Sequence, residues 1–206
     1  MEIIQSVDQV RGKRRIRFES GWQVWLNRND NPGFSVSEGT QVDRDSFTEF
    51  ILHQQYPSAL DRAVRMLAER PCSKKEIEQR LNSAHFDKKV IELVMFKLQK
   101  EKLLDDLDFA GQWTMSRSRK YGKERIYREL RMKGIDTDTA ESAIENISEK
   151  EEIMNAIAFA SQKLHSLYGK CEPLKIKQRI TSSLLHRGYS WEIATKAFEE
   201  ALKQYE

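Results

Sequence analysis

The sequence predicts a mainly α-helical protein: three tandem three-helix repeats in an elongated, curved array, preceded by a small N-terminal region with a β-hairpin. Three observations carry this. Strand-like alternation is confined to the residues before about Pro57. Beyond it, one pattern of apolar positions occurs three times. Capping residues and turn residues at the helix ends agree with that layout.

In the N-terminal region, RRIRFES and WQVWL alternate apolar and polar residues, with Ile16, Phe18, Trp22, Val24 and Leu26 on one side. Ser20 and Gly21 lie between them, so residues 14–26 read as two antiparallel strands joined by a tight turn. Asn29–Gly33 is loop chemistry, and Phe34–Val36 is read as a further short strand. Asp45 or Ser46 can cap a short helix through Phe47, Phe50 and Ile51 to about Gln55.

The repeat is defined by offsets. Relative to Ile77, residues Leu81, Phe86, Ile91, Val94 and Leu98 stand at 4, 9, 14, 17 and 21. The same offsets from Ile126 give Leu130, Ile135, Ala140, Ala143 and Ile147, and from Ile180 they give Leu184, Tyr189, Ala194, Ala197 and Ala201. Every one is apolar or aromatic. They describe an apolar pair one turn apart, a turn, and a second helix with i, i+3, i+7 spacing. Gly134 and Gly188 occupy the turn, where a helix end favours a left-handed residue, and His85 takes that place in the first repeat. Ser73 with Glu76, and Ser148 with Glu151, have capping-box spacing, and Ser190 can cap the last helix. A further amphipathic segment precedes each pair: Ala63–Leu67, Phe109–Met115 and Ile157–Leu167. The third repeat has seven extra residues after its Tyr-Gly-Lys, read as a longer helix with Pro173 in its first turn. The expected division is a β-rich cap at 1–57, then repeats at 58–107, 108–150 and 151–206. Because the repeats have their own apolar faces, deletion of 1–57 is expected to leave a folded helical remainder.

Composition narrows the class. With 39% hydrophobic and 33% charged residues and a net charge of +3, this is a charge-rich globular chain, and its net charge alone does not diagnose nucleic-acid binding. There is no run of membrane-spanning length, and MEIIQSVDQV lacks a signal-peptide layout. Cys72 and Cys171 stand far apart without metal or redox spacing, as expected of reduced thiols in a cytoplasmic protein.

Charge is segregated within the repeats. Arg117, Arg119, Lys120, Lys123, Arg125, Arg128, Arg131 and Lys133 outnumber Glu124 and Glu129, whereas Asp136–Glu152 holds seven acids and only Lys150. More mildly, Lys175, Lys177, Arg179 and Arg187 precede Glu192, Glu199 and Glu200. Stacked units would then present a positive stripe from middle helices and a negative one from last helices. Ordinary solvation of helix faces is the bland account. Clustered cations would otherwise contact phosphates, and the acidic stripe suits a partner of mixed charge such as a protein–DNA filament. Arg125, Arg128 and Arg131 project from the helix face opposite Ile126 and Leu130, and if solvated each is worth only about 0.5 kcal/mol to the fold.

Enzyme motifs are missing: there is no phosphate-binding loop, no dinucleotide fingerprint, no HExxH and no GxSxG. The four histidines have no metal-binding spacing. Asp105, Asp106 and Asp108 could serve a metal or nuclease site, but helix capping and the helix dipole account for them more simply. Trp113, Tyr121 and Tyr127 could stack bases, although Trp113 stands at helical spacing from Phe109. No cofactor is expected.

Several of these residues match a known pattern. Ser73, Glu76 and Ile77, then Leu104, Asp105, Asp106, Phe109 and Ala110, then Ser116 or Ser118, Arg117 or Arg119, Gly122, Ile126, Glu129, Leu130, Gly134 and Ile135 resemble the ordered motifs of the RecX family of recombinase regulators. The match is tight over about 59–147 and loose over the third repeat. His85, where the family commonly has Gly, and Ile77 for the commoner Leu are departures that touch packing. The resemblance implies a non-enzymatic modulator of RecA that lodges along its filament on single-stranded DNA and restrains it during repair and the SOS response; a cytoplasmic monomer is expected. The clustered cations, for their part, lead us to expect weak, sequence-independent DNA binding. The candidate contacts to DNA or RecA are Arg117, Arg119, Lys120, Lys123, Arg125, Arg128, Arg131, Lys133, Lys175, Lys177 and Arg179. Two other classes remain: a stand-alone DNA-binding regulator using helix-turn-helix-like units, and a metal-dependent enzyme at the three aspartates.

Overall fold

Residues Glu2–Val10 form a strand, β1, that local pattern does not announce. It pairs antiparallel with β2 (Lys13–Phe18) across Arg11 and Gly12, both in left-handed conformation (φ 48° and 81°), as a two-residue hairpin turn requires. A register shift between Ile4 and Ser6 interrupts its alternation, which is why the stretch does not read as a strand. The predicted hairpin follows: β2 pairs with β3 (Gln23–Asn27), Ile16 opposite Val24, turning at Ser20–Gly21. Ile16, Phe18, Val24 and Leu26 are buried as expected. A two-residue β4 (Gln41–Val42) completes a sheet of order β3-β2-β1-β4.

The computed structural model describes residues 1–27, 30, 32–33, 35–170 and 172–205. The expected loop at Asn29–Gly33 lies partly outside them; Phe34 does too, and Ser35 and Val36 are not in a strand. After Val42, every regular element among the described residues is a helix, and none is long and apolar enough to cross a membrane.

The expected short helix and break at Pro57 are overturned. Asp43 caps a single helix, α1 (Arg44–Glu69), which runs through Pro57. Its buried residues Phe47, Ile51, Gln55, Ala59 and Ala63 repeat every four positions on both sides of the proline. Packing along that stripe outweighs the backbone hydrogen bond the proline removes. The division at 57 therefore falls inside an element. The sheet residues Ile4, Phe18 and Leu26 share one core with Ala59, Ile77 and Leu98, within a compact unit Met1–Asp105. Gln55 ties it together: its Nε2 donates to the Trp25 carbonyl (2.7 Å) and its Oε1 accepts from Asp87 N–H (2.8 Å).

The repeats appear as α2 (Lys74–Ser83) and α3 (Lys88–Lys100), α5 (Lys123–Met132) and α6 (Thr137–Glu145), and α8 (Pro173–His186) and α9 (Trp191–Lys203), preceded in the last two by α4 (Asp106–Arg117) and α7 (Glu149–Leu167). Ile77, Ile126 and Ile180 are each fully buried, as are all the other offset positions except the half-buried Phe86. The turns share one hydrogen-bond pattern: Phe86, Ile135 and Tyr189 N–H donate to the carbonyls of Leu81, Leu130 and Leu184. The residues before them, His85, Gly134 and Gly188, all have left-handed φ (62°, 84° and 84°). His85 tolerates this because its ring stacks on Trp25 at 4.1 Å, and the Lys13 ammonium donates to the Ala84 carbonyl beside it. Ser73 and Glu76 form the predicted capping box; Ser148 accepts from Glu151 N–H. Helix α8 has 14 residues against 10 in α5, with Pro173 in its first turn, so only part of the seven-residue insertion is helical.

Candidate nucleic-acid interface

Asp106–Glu206 is the second compact unit, and it holds all eleven candidate cations. The structure divides them into two kinds.

The first kind holds helices together. At the end of α4 and along α5, the half-buried carboxylate of Glu129 receives three donors: Trp113 Nε1 (3.2 Å), Arg117 Nε (3.0 Å) and Arg125 Nε (3.1 Å). The same guanidiniums lie over aromatic faces, Arg117 above Trp113 and Arg125 above Tyr121 at 4.0 Å, while the Lys133 ammonium sits 4.1 Å from the Trp113 ring. Trp113 itself stacks on Phe109, as its spacing predicts. Arg131 Nη1 donates to the Ile135 carbonyl at the end of α5 (2.6 Å). Arg125 is thus committed to the fold and not merely solvated, whereas Arg131 is exposed although it also satisfies the Ile135 carbonyl. Lys123 begins α5 and is half-buried; its backbone N–H, rather than its ammonium, donates to the buried carboxylate of Glu152 (2.9 Å), favoured by the positive end of the helix. Glu152 therefore leaves the acidic stripe, as does Asp136, which caps α6. The Thr139 N–H it accepts holds its carboxyl below the usual range. Glu141 and Glu145 remain exposed on α6.

The second kind faces solvent: Arg119 and Lys120 in the α4–α5 turn, and Arg128 on α5. On α8, Lys175 is exposed and pairs with Glu172, Arg179 is exposed, and Lys177 is half-buried over the Phe198 ring.

What positions the turn is a backbone contact. Gly122 N–H donates to the Arg187 carbonyl (3.0 Å), and a Cβ on Gly122 would stand 2.2 Å from the Gly188 oxygen. Asn155 Nδ2 donates to the Ser118 carbonyl and Arg187 Nη1 to that of Lys120. Together these fix a cleft of about 510 Å³ bordered by Arg119, Lys120, Tyr121, Asn155, Phe159 and Arg187. The Arg187 guanidinium lies over Phe159, 4.0 Å from its centroid. Burial and nearby Glu152 push the Tyr189 hydroxyl at the cleft's edge up to about 12, so it stays neutral. Three cations at an open cleft with aromatic walls suit a phosphate-bearing strand. Arg187, Phe159 and Asn155 were not among the sequence candidates. The recurring Tyr-Gly-Lys and the paired glycines signalled a turn, but nothing local said that the two turns meet. Among the described residues, no group of His, Cys, Asp and Glu is placed to hold a metal.

Comparison with known proteins decides the family. Residues 59–98 match the first three-helix domain of RecX and residues 105–144 the second. A regulatory protein RecX from Clostridium acetobutylicum is 30% identical over 172 residues, covering 82% of this chain and 80% of the relative. The chain belongs to the RecX family. The RecX of Corynebacterium efficiens is 31% identical over 69% of the chain and 72% of its own length, and that of Bacillus subtilis 28% identical over 81% of the chain. The chain spans 64% of the Bacillus subtilis relative's length. Two crystal structures of RecX share the fold, one at TM-score 0.64 and 18% identity over 94% of this chain and 97% of that one. The other, from Lactobacillus salivarius, has TM-score 0.65 and 22% identity, covering 72% and 97%. The tight block of the resemblance falls on the two matched RecX domains.

Proposed function

We propose that this RecX-family chain binds RecA and its filament on single-stranded DNA and restrains recombinase activity, acting as a monomer in the bacterial cytoplasm without a catalytic step of its own. The observation that carries the reading is the gathering of Arg119, Lys120 and Arg187 around one cleft in a chain of this family. The cleft supplies sequence-independent affinity for phosphates, and the exposed Glu141 and Glu145 face the protein component of the filament.

The variant that tests it spares the fold. Arg119, Lys120 and Arg128 are exposed, so their joint replacement by Ala leaves thermal unfolding near that of the parent. Single-stranded DNA affinity falls, and the slope of log K against log salt drops by up to about 2, since each lost phosphate contact removes about 0.7. Inhibition of RecA ATP hydrolysis weakens in parallel. Normal inhibition by this variant at physiological salt would reduce the basic face to a solvated surface. A sequence-specific footprint on naked duplex would favour the stand-alone DNA-binding regulator instead.

A further inference from the structure

The three repeats can be set in register by their apolar offsets, and their last helices then align without a gap: α3, α6 and α9 follow N-caps Asp87, Asp136 and Ser190. In that register Phe96 corresponds to Glu145 and Glu199, and Leu93 to Ser142 and Lys196. Two repeats fold with polar residues at both positions, so neither the helix nor its core requires an apolar group there. Yet in the first repeat Phe96 is 65% exposed and Leu93 44% exposed, one turn apart on the same helix. Large apolar side chains held together in solvent are a recurrent mark of an interaction surface.

The charge changes with them. Helix α6 carries Asp138, Glu141 and Glu145 and no basic residue, whereas α3 carries Lys88, Lys89, Lys97 and Lys100 against Glu92. The acidic stripe of the last helices therefore does not extend to the first repeat. Leu93 and Phe96 join Leu52, Tyr56 and Pro57 of α1 along a groove of about 470 Å³, with Lys97 and Lys100 on its rim. Lys97 also bridges Glu101 at 2.6 Å.

We infer that this α1–α3 groove is a docking site for a short protein segment that presents apolar side chains flanked by carboxylates. The groove walls are aliphatic as well as aromatic and form a concavity, which accepts apolar side chains better than the flat face of a base; the lysine rim selects the flanking charge. The inference rests on the reading above for its partner, taking RecA as the protein that supplies the segment.

Two measurements test it on the full-length chain. The double variant Leu93→Ser/Phe96→Glu installs residues that α6 already carries, so its circular dichroism should match the parent. Its affinity for RecA filaments should fall about tenfold or more, as for loss of a buried apolar anchor, while affinity for naked single-stranded DNA is unchanged. Lys97→Glu/Lys100→Glu should weaken filament binding in the same direction. In the second measurement, Phe96→p-benzoylphenylalanine is photo-crosslinked in the presence of RecA filaments, and the adduct should map to a RecA segment with apolar residues between Asp or Glu. Unchanged filament affinity in Leu93→Ser/Phe96→Glu overturns the inference. So does crosslinking to DNA, to a second copy or to the chain's own second unit, or no crosslink at all. Where the parent protein still inhibits RecA, those results leave the proposed function standing; a parent that neither binds nor inhibits RecA removes that function itself.

Discussion

Gly122 and Gly188 show how much a missing side chain can decide. Their backbones touch, and a Cβ on Gly188 would stand 2.4 Å from atoms of Arg125. Gly122 has an ordinary φ of −75°, so its requirement for glycine comes from the neighbouring turn and not from its own conformation. Gly122→Ala is expected to destabilise the second unit by about 1–3 kcal/mol, the usual range for overpacking, read as a lowered urea midpoint. It also moves Arg119 and Lys120 relative to Arg187, so DNA affinity should fall although no cation is removed. Arg125 makes the complementary point. Sequence counts it with Arg128 on a basic face, but an ion pair to Glu129 and the Tyr121 ring commit it to the fold, whereas Arg128 remains exposed. One-dimensional charge counts cannot separate cations that hold helices together from cations offered to a partner.

Among the elements, α2–α3, α5–α6 and α8–α9 were legible because two independent local signals coincide: apolar offsets that pack one face, and a left-handed residue closing each first helix. His85 fits although it is not glycine, because the sheet supplies Trp25 for its ring to stack on. Strand β1 was missed because its alternation breaks at the register shift and its turn uses Arg-Gly. Helix α1 was cut short because Pro57 is a strong local stop that only tertiary packing overrides. Pro57→Ala should therefore stabilise the first unit, by up to about 3 kcal/mol, seen as a higher urea midpoint with unchanged helix content. A lower midpoint would mean that the proline ring contributes packing beyond its backbone penalty.

At the scale of the whole molecule, the two units have separate cores, and the sheet belongs wholly to the first. Deleting 1–57 removes Ile4, Phe18, Leu26 and Ile51 from a single core, so the folded helical remainder is expected only from residue 106 onward. The fragment 58–105 should be unfolded by circular dichroism and hydrogen exchange. The fragment 106–206, which retains both of its cores, should unfold cooperatively in urea and keep single-stranded DNA binding. Sequence by itself determined the helical repeats, their buried positions, their turns and the family, because these depend on periodicity, on caps and on the order of residues along one chain. Tertiary structure alone decided which cations meet at the Gly122–Gly188 contact, that the sheet and first repeat share a core, and that Phe96 stands in solvent. Those outcomes depend on distances between residues far apart in the chain, and no local pattern encodes such distances.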